Sequence, residues 1–485
     1  MHSMRVRTFV LLPSAILLLF FCTNLAPLLA AQEETASNSL TTPRSEEDKR
    51  AYRSAMEKAD QSIADEVKTH SELMKNLEFL TTQIGARLTG SPQMNRASEW
   101  TLQRFKDYGI DAHLETTEIP HAWTRGQDTA EITAPVKKSI EIRSAGWSKA
   151  TAGPVTGNVL FLNNPSEMEK YKGKLKGAII LMRPPSQLPA DSDIPNNAYD
   201  AVIPPSRGLP RAGGRARYQE RQRMIKTAGD EGAAMLLQDS SKPAALFNMT
   251  SFSRYEPSQI PVAFLTHEDY SLVYRLLQAG PVSMKVNLTG TFSASPAKTS
   301  ITVAEIKGSE HPDERVIIGG HLDSWDLGQG AVDNGTGAMA VLEAARSLHA
   351  LGWKPKRTIT FILFTGEEQG GTGAALFVSN HGADIPKTDA VLVHDLGTGK
   401  VFTIVLEDQY ETASLMQEIY QPLMELFNLD PLDTRYYGSS DHIEFLNAGV
   451  PAYFCLQKPD HYREAHHSQA DTFDKVVPDD INQGA

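Results

Sequence analysis

Between Arg315 and Leu342 the sequence reads RVIIGGHLDSWDLGQGAVDNGTGAMAVL. The apolar run Val316-Ile317-Ile318 has the character of a strand buried on both faces, and it delivers His321 and Asp323 to its carboxyl end. A glycine-rich loop leads on to Asp333-Asn334 at the mouth of a helix. Two further apolar runs end in groups of the same kind: Thr358–Phe364 is followed by Thr365-Gly366-Glu367-Glu368, and Ala390–Val393 by His394-Asp395. Near the carboxyl terminus, Ala465–Thr472 adds His466 and His467. A single histidine at a strand end is ordinarily a hydrogen-bonded surface residue, and a Glu-Glu pair is ordinarily solvated. Gathered at one sheet edge, however, so many anionic and imidazole groups would destabilise the fold unless cations neutralised them. Imidazole mixed with carboxylate suits zinc, whereas an oxygen-only set suits magnesium or calcium. One zinc needs three protein ligands and a water, so the surplus of donors points to two ions sharing a bridging carboxylate.

For these groups to meet, the strands that carry them must lie side by side, because open α/β sheets bind ligands beyond the carboxyl ends of their strands. The pattern after Lys298 fits, with buried strands alternating with helices. The helix expected over Gly335–His349 carries Met339, Leu342, Ala345 and Leu348 at core-packing spacing. Upstream, Leu73, Leu77, Leu80 and Ile84 form an amphipathic stripe. A second helix is expected from Gln93 to Gly109, packing through Ala97, Trp100, Phe105 and Tyr108. Residues 130–297 differ in texture. They hold strand-like runs at Asn158–Leu162, Gly177–Met182, Ala233–Leu237 and Pro261–Leu265, a Pro-rich loop and a basic stretch, but no cluster of histidines and carboxylates. The fold class expected is therefore α/β, a three-layer α/β/α sandwich with a mostly parallel central sheet. Residues 46–129 and 298–485 would build it, and a β-rich insert at 130–297 would interrupt it.

The 485 residues are 41% apolar and 22% charged, which excludes wholesale disorder. A formal charge of −12 argues against nucleic acid as a partner. The basic run Arg207, Arg211, Arg215, Arg217, Arg221, Arg223 and Lys226 reads as a solvated face within an acidic chain. Residues 1–31 read as a cleaved signal peptide, with Arg5 and Arg7 ahead of the apolar run Val10–Phe21 and small residues at Ala30-Ala31. Residues 32–45 read as a polar spacer. Export to the periplasm or the extracellular space follows, with no stable membrane association. After cleavage only Cys455 of the two cysteines would remain, which excludes an internal disulfide.

The segments GGHLDSWDLGQGAVDNGTGA, LFTGEEQGGTGA, HDLGTG and AHHSQADT, taken in order, resemble the co-catalytic zinc peptidase family M28, and within it the plasma glutamate carboxypeptidase branch. The likeness extends upstream through IGARLTGSP and Arg125-Gly126, and residues 130–297 resemble a protease-associated domain. The resemblance implies a zinc exopeptidase fold holding two Zn2+ ions. His321 would be a terminal ligand, Asp333 the bridging carboxylate, Glu368 and Asp395 ligands to the separate ions, and His467 the last ligand. His467 is taken over His466 because the family's ligand directly precedes the Ser or Thr. Glu367 matches the general base acting on metal-activated water, and Asp323 the carboxylate that holds the other N–H of His321. Ser440–Phe445 resembles a motif near the substrate pocket, with His442 in a structural role. The implied activity is exopeptidase cleavage of short unblocked peptides, dipeptidase-like or aminopeptidase-like, often in a homodimer. A mono-zinc acyl transfer of the glutaminyl cyclase kind and a non-catalytic peptide-binding module are the alternative readings. Asn334-Gly335-Thr336 matches a glycosylation sequon but lies beside a buried ligand. The family usually continues into a helix packed on the sheet. Val477–Ile481 is expected to start it, with Asp479 as its cap, and without that helix apolar sheet surface would be exposed.

Overall fold

The computed structural model describes residues 46–188, 195–202 and 212–485. The signal segment 1–31, the spacer 32–45, and Arg207 and Arg211 of the basic run lie outside the described residues. The chain divides into two compact units, one ending at Ala59 and one running from Asp60 to Ala485. In the first, the described residues belong to the polar helix Glu46–His70 and are largely exposed. Everything below concerns the second.

Among the described residues, seven strands build the sheet that carries the candidate site. They are β1 (Asp111–Ile119), β2 (Ala297–Ile306), β3 (His311–His321), β4 (Arg357–Phe364), β5 (Thr388–Val393), β6 (Val401–Val405) and β7 (Ala452–Gln457), in the spatial order β1-β2-β4-β3-β5-β7-β6. The central strands β4, β3, β5 and β7 run parallel, with antiparallel partners on both flanks. Successive side chains on β4 take opposite faces, as the strand period of two requires. Phe361 and Leu363 pack with Leu73, Leu77, Phe105, Met339 and Leu342 on one side. Ile362 and Phe364 pack with Ile317, Val391, Phe377 and Phe445 on the other. The helices Leu73–Phe79, Pro92–Asp107 and Thr336–Ala350 cover the first face, and Thr372–Asn380 and His442–Asn447 the second. The result is the α/β/α layering expected from the continuous apolar runs.

Register decides where the polar groups emerge. His321 pairs across from Phe364, Gly319 from Val393, and Val393 from Phe454. The carboxyl ends of β3, β4 and β5 are therefore level with one another. Close approach is part of this, since a Cβ at Gly319 would stand 2.4 Å from the Phe364 ring.

A second sheet lies within residues 129–287 and holds eight strands among the described residues. Val155–Phe161, Ile179–Leu181, Met235–Asp239 and Val262–Leu265 run parallel at its centre. Ile180, Leu236 and Phe264 pack on one face, and Ile179, Leu181 and Met235 on the other. The basic stretch forms the helix Ala212–Asp230.

Two local expectations change. The stripe from Leu73 to Ile84 is a helix only to Phe79, then a wider π-type turn over Leu80–Ile84 that stops at Gly85, where φ is 85°. The carboxyl-terminal helix is Pro478–Gly484, capped by Val477 and not by Asp479. Pro478 takes the first helical position, where it loses no hydrogen bond, and Asp479 and Asp480 fall in the first turn, which favours acids electrostatically. Beside this helix, Leu392, Val401, Ile404, Tyr420 and Phe427 line a largely apolar cavity of about 690 Å³.

Candidate metal centre

At the level edge of β3, β4 and β5 the sequence-predicted donors meet. His321 is buried, and its Nε2 lies 3.0 Å from Asp395 Oδ1 and 3.5 Å from Asp333 Oδ1. His467 Nε2 lies 2.9 Å from Glu368 Oε2 and 3.6 Å from Asp333 Oδ2. Asp333 thus stands between two donor pairs, one oxygen toward each. It occupies the turn Ala331–Gly335 that opens the helix Thr336–Ala350. The turn is held by Asn334, whose Oδ1 accepts from the Gly337 N–H at 3.0 Å and whose Nδ2 donates to the His394 carbonyl at 2.8 Å. That Asn334 is fully buried removes its sequon from consideration as a surface acceptor. His466 also brings a ring nitrogen to within reach of Asp333 and stacks on His467 with ring centroids 3.7 Å apart.

Asp323 does something other than what its position suggests. The second nitrogen of His321, Nδ1, lies 3.0 Å from the Asp323 carbonyl oxygen, while the Asp323 carboxylate is 3.6 Å away, beyond hydrogen-bond reach. The carboxylate instead accepts from the Thr89 hydroxyl at 3.1 Å and from the backbone N–H groups of Glu367 at 3.2 Å and Glu368 at 3.4 Å. It therefore fixes the turn that presents the glutamate pair.

Two further residues hold the site by its backbone, and sequence reasoning assigned them no role. Arg87, in IGARLTGSP, is fully buried and donates to the carbonyls of Leu322, Gly85, Gln329 and Gly330 at 2.6–3.0 Å, tying down the loop between His321 and Asp333. Asp471, in AHHSQADT, accepts from the Val332 N–H at 2.6 Å and the Asp333 N–H at 3.3 Å.

The electrostatics are those of a site lacking positive charge. Asp333 Oδ2 and both carboxylate oxygens of Glu368 are buried without a hydrogen-bond partner among the described residues. Burial pushes the Glu367 carboxyl well above its usual range, with Asp395, Asp441 and Glu368 adding to the rise, and pushes Glu368 up to about 7. Burial opposes charge on His321, but Asp395, Asp323 and Asp333 outweigh it and raise the imidazole. Burial likewise opposes charge on Asp333, yet His321, His466 and His467 hold it below the usual carboxylate range. Two imidazoles and three carboxylates, two of them with orphaned oxygens, are a donor set that zinc fits. A cavity of about 250 Å³ opens onto it, lined by Asp333, Glu367, Glu368, Asp395 and His467, with Tyr199, Val202, Ser439 and Tyr462 at its walls. His321 lies behind these, and His442 is fully buried against Glu407 at 3.2 Å and outside the cavity lining.

A family model, Peptidase family M28, matches residues 302–484. The chain is 31% identical over 412 residues to Carboxypeptidase Q of Xenopus laevis, covering 84% of this chain and 81% of that protein. Among solved structures it is similar to a Peptidase M28 precursor from Shewanella amazonensis SB2B, with a TM-score of 0.74 and 25% identity over 89% of this chain and 94% of that one. It shares its fold with BSAP, described as a zinc aminopeptidase from Bacillus subtilis, with a TM-score of 0.62 and 18% identity over 85% and 92% of the respective chains.

Proposed function

The chain belongs to peptidase family M28, and from that membership we propose that it is an exported dinuclear zinc exopeptidase acting on short unblocked peptides. The observation that carries the two-ion reading is Asp333, whose two oxygens face His321 with Asp395 on one side and His467 with Glu368 on the other. Each pair together with a shared carboxylate supplies three ligands, the number a catalytic zinc takes. The exopeptidase reading draws on the similarity to a protein named Carboxypeptidase Q and on the small volume of the cavity at the donors. Export rests on the character of residues 1–31. Among the described residues no helix is long and apolar enough to cross a membrane.

In this reading His321 and Asp395 would hold one ion, Glu368 and His467 the other, and Asp333 would serve both. Zinc supplies Lewis acidity toward a carbonyl oxygen and lowers the pKa of water toward ~7. Glu367, in the same cavity and not a ligand, takes the proton from the attacking water and returns it to the leaving amine nitrogen. Asp323 keeps Glu367 and Glu368 in their separate roles by fixing both backbone N–H groups. Tyr199, Val202 and Tyr462 offer apolar walls to a substrate side chain.

A screen of free dipeptides against the same dipeptides blocked at either end, using protein whose zinc content is measured on the same sample, tests the proposal. Hydrolysis confined to unblocked substrates is expected. Equal cleavage of blocked substrates would refute the exopeptidase reading.

A further inference from the structure

Lys242 belongs to the stretch that builds the second sheet, yet its side chain ends at the loop carrying His467. It is buried, and Nζ donates to the carbonyl oxygens of His466 at 2.6 Å, Arg463 at 2.7 Å and Glu464 at 3.2 Å. An ammonium has three N–H donors and no acceptor, so these bonds use its donors completely. The loop has reason to need them. His461 and His467 both hold left-handed φ values, 56° and 57°, a conformation unfavourable to a non-glycine residue that persists only where the surroundings enforce it. The helix Tyr462–Ala465 is a single turn, too short to pair its own last carbonyls. Neighbours of Lys242 grip the far side of the same loop. The Met249 N–H donates to the His467 carbonyl at 2.8 Å, the Phe247 N–H to Gln469 Oε1 at 2.9 Å, and Gln469 Nε2 to the Ala245 carbonyl at 3.0 Å.

We infer that Lys242 is a positioning residue for the metal centre: by gathering three carbonyls of Arg463–His466 it fixes the turn that aims the His467 imidazole at Glu368 and Asp333. The inference rests on the reading of His467 as a ligand. An apolar side chain of similar length fills the volume but leaves the carbonyls of Arg463 and His466 without donors, that of Glu464 keeping the Ser468 hydroxyl, and the turn is then free to rotate His467 away. Glutamine, with two donors, restores part of the grip.

The test compares zinc affinity in the full-length, metal-stripped protein, by competition with a chromophoric chelator, for the unmutated chain and for Lys242→Met, Lys242→Gln and His467→Ala. Circular dichroism of each metal-free protein reports folding. Loss of an outer partner of a ligand lowers metal affinity by ~10–100-fold, and that loss is expected for one of the ions in Lys242→Met, with Lys242→Gln between it and the unmutated chain. At limiting zinc, kcat on a dipeptide falls with KM little changed, and excess zinc restores it. Lys242→Met that folds and binds zinc like the unmutated chain, while His467→Ala binds it weakly, would overturn the clamp and leave the ligand assignment standing. Unchanged affinity in His467→Ala would remove His467 as a ligand, and the clamp with it. Should Lys242→Met fail to fold, Lys242→Gln decides by the same criterion. Failure of both to fold would make Lys242 a residue of the general fold and count against the inference.

Discussion

Glu367 and Glu368 are neighbours in sequence and face the same cavity, but the fold asks different things of them. Glu368 meets His467 at 2.9 Å beside Asp333, the position of a metal ligand. Glu367 pairs with neither His321 nor His467 and lines the cavity where a substrate would sit. Replacing Glu367 by Gln is therefore expected to lower kcat by ~10²–10⁴-fold, the usual contribution of a general base, with zinc content unchanged. Steady-state kinetics beside metal analysis would check it, and retention of more than a tenth of the activity would remove Glu367 as the base. These residues were legible in the sequence because a polar group at the end of a continuous apolar run has no packing reason to be there. Arg87, Asp471 and Lys242 were not, because they act on backbone groups far away in the chain, and such contacts leave no local pattern.

At the scale of elements, β3 and the helix Thr336–Ala350 form a unit whose loop, from Leu322 to Gly330, must keep His321 and Asp333 in register. Arg87 does this with three carbonyl contacts to the loop, at Leu322, Gln329 and Gly330, and a fourth to Gly85 of its own segment. Its replacement by Met leaves the carbonyls of Gly85, Leu322 and Gln329 without donors, a loss expected to lower stability by about 3 kcal/mol and seen as a lower urea midpoint with an unchanged slope. An unchanged midpoint would mean that the loop holds itself. The parallel strands and the helices on both faces followed from apolar runs and periodicity. The strands β6 and β7 were not expected: VFTIV and AYFCLQ are apolar runs of only five and six residues, which periodicity alone does not tell from a buried helix segment. The role of Asp323 was half legible. Spacing put it beside His321, but only the register of β3 against β4 brings its carboxylate to the Glu367–Glu368 turn.

The whole molecule should respond to pH as a protein that buries acids around a missing charge. Burial raises Glu368 to about 7 and Asp471 to about 7, and His321 and His467 are also raised. In each case the folded chain binds protons that the unfolded chain has begun to release, so stability falls as pH rises through about 7. Asp333, held low, acts in the opposite sense outside that window. His394 and His466, pushed down by burial, oppose the fall up to about pH 6.5, and Lys242, pushed down to about 7, opposes it above 7. These are fewer than the raised groups, which include Glu367 and Asp441. Zinc takes the deprotonated ligands and so binds better as pH rises. Thermal unfolding of the stripped protein is expected to drop by several degrees between pH 5.5 and pH 8, while the stabilisation gained on adding zinc grows over the same range. A stripped protein more stable at pH 8 would show that these groups are not buried as described.

The central claim is that Asp333 bridges two ions, and titrating zinc into the metal-stripped chain while following both binding and dipeptide turnover tests it most directly. The account predicts that binding saturates at two equivalents and that Asp333→Ala weakens both sites together. Saturation at one equivalent with full turnover, or loss of a single site in Asp333→Ala, would contradict it.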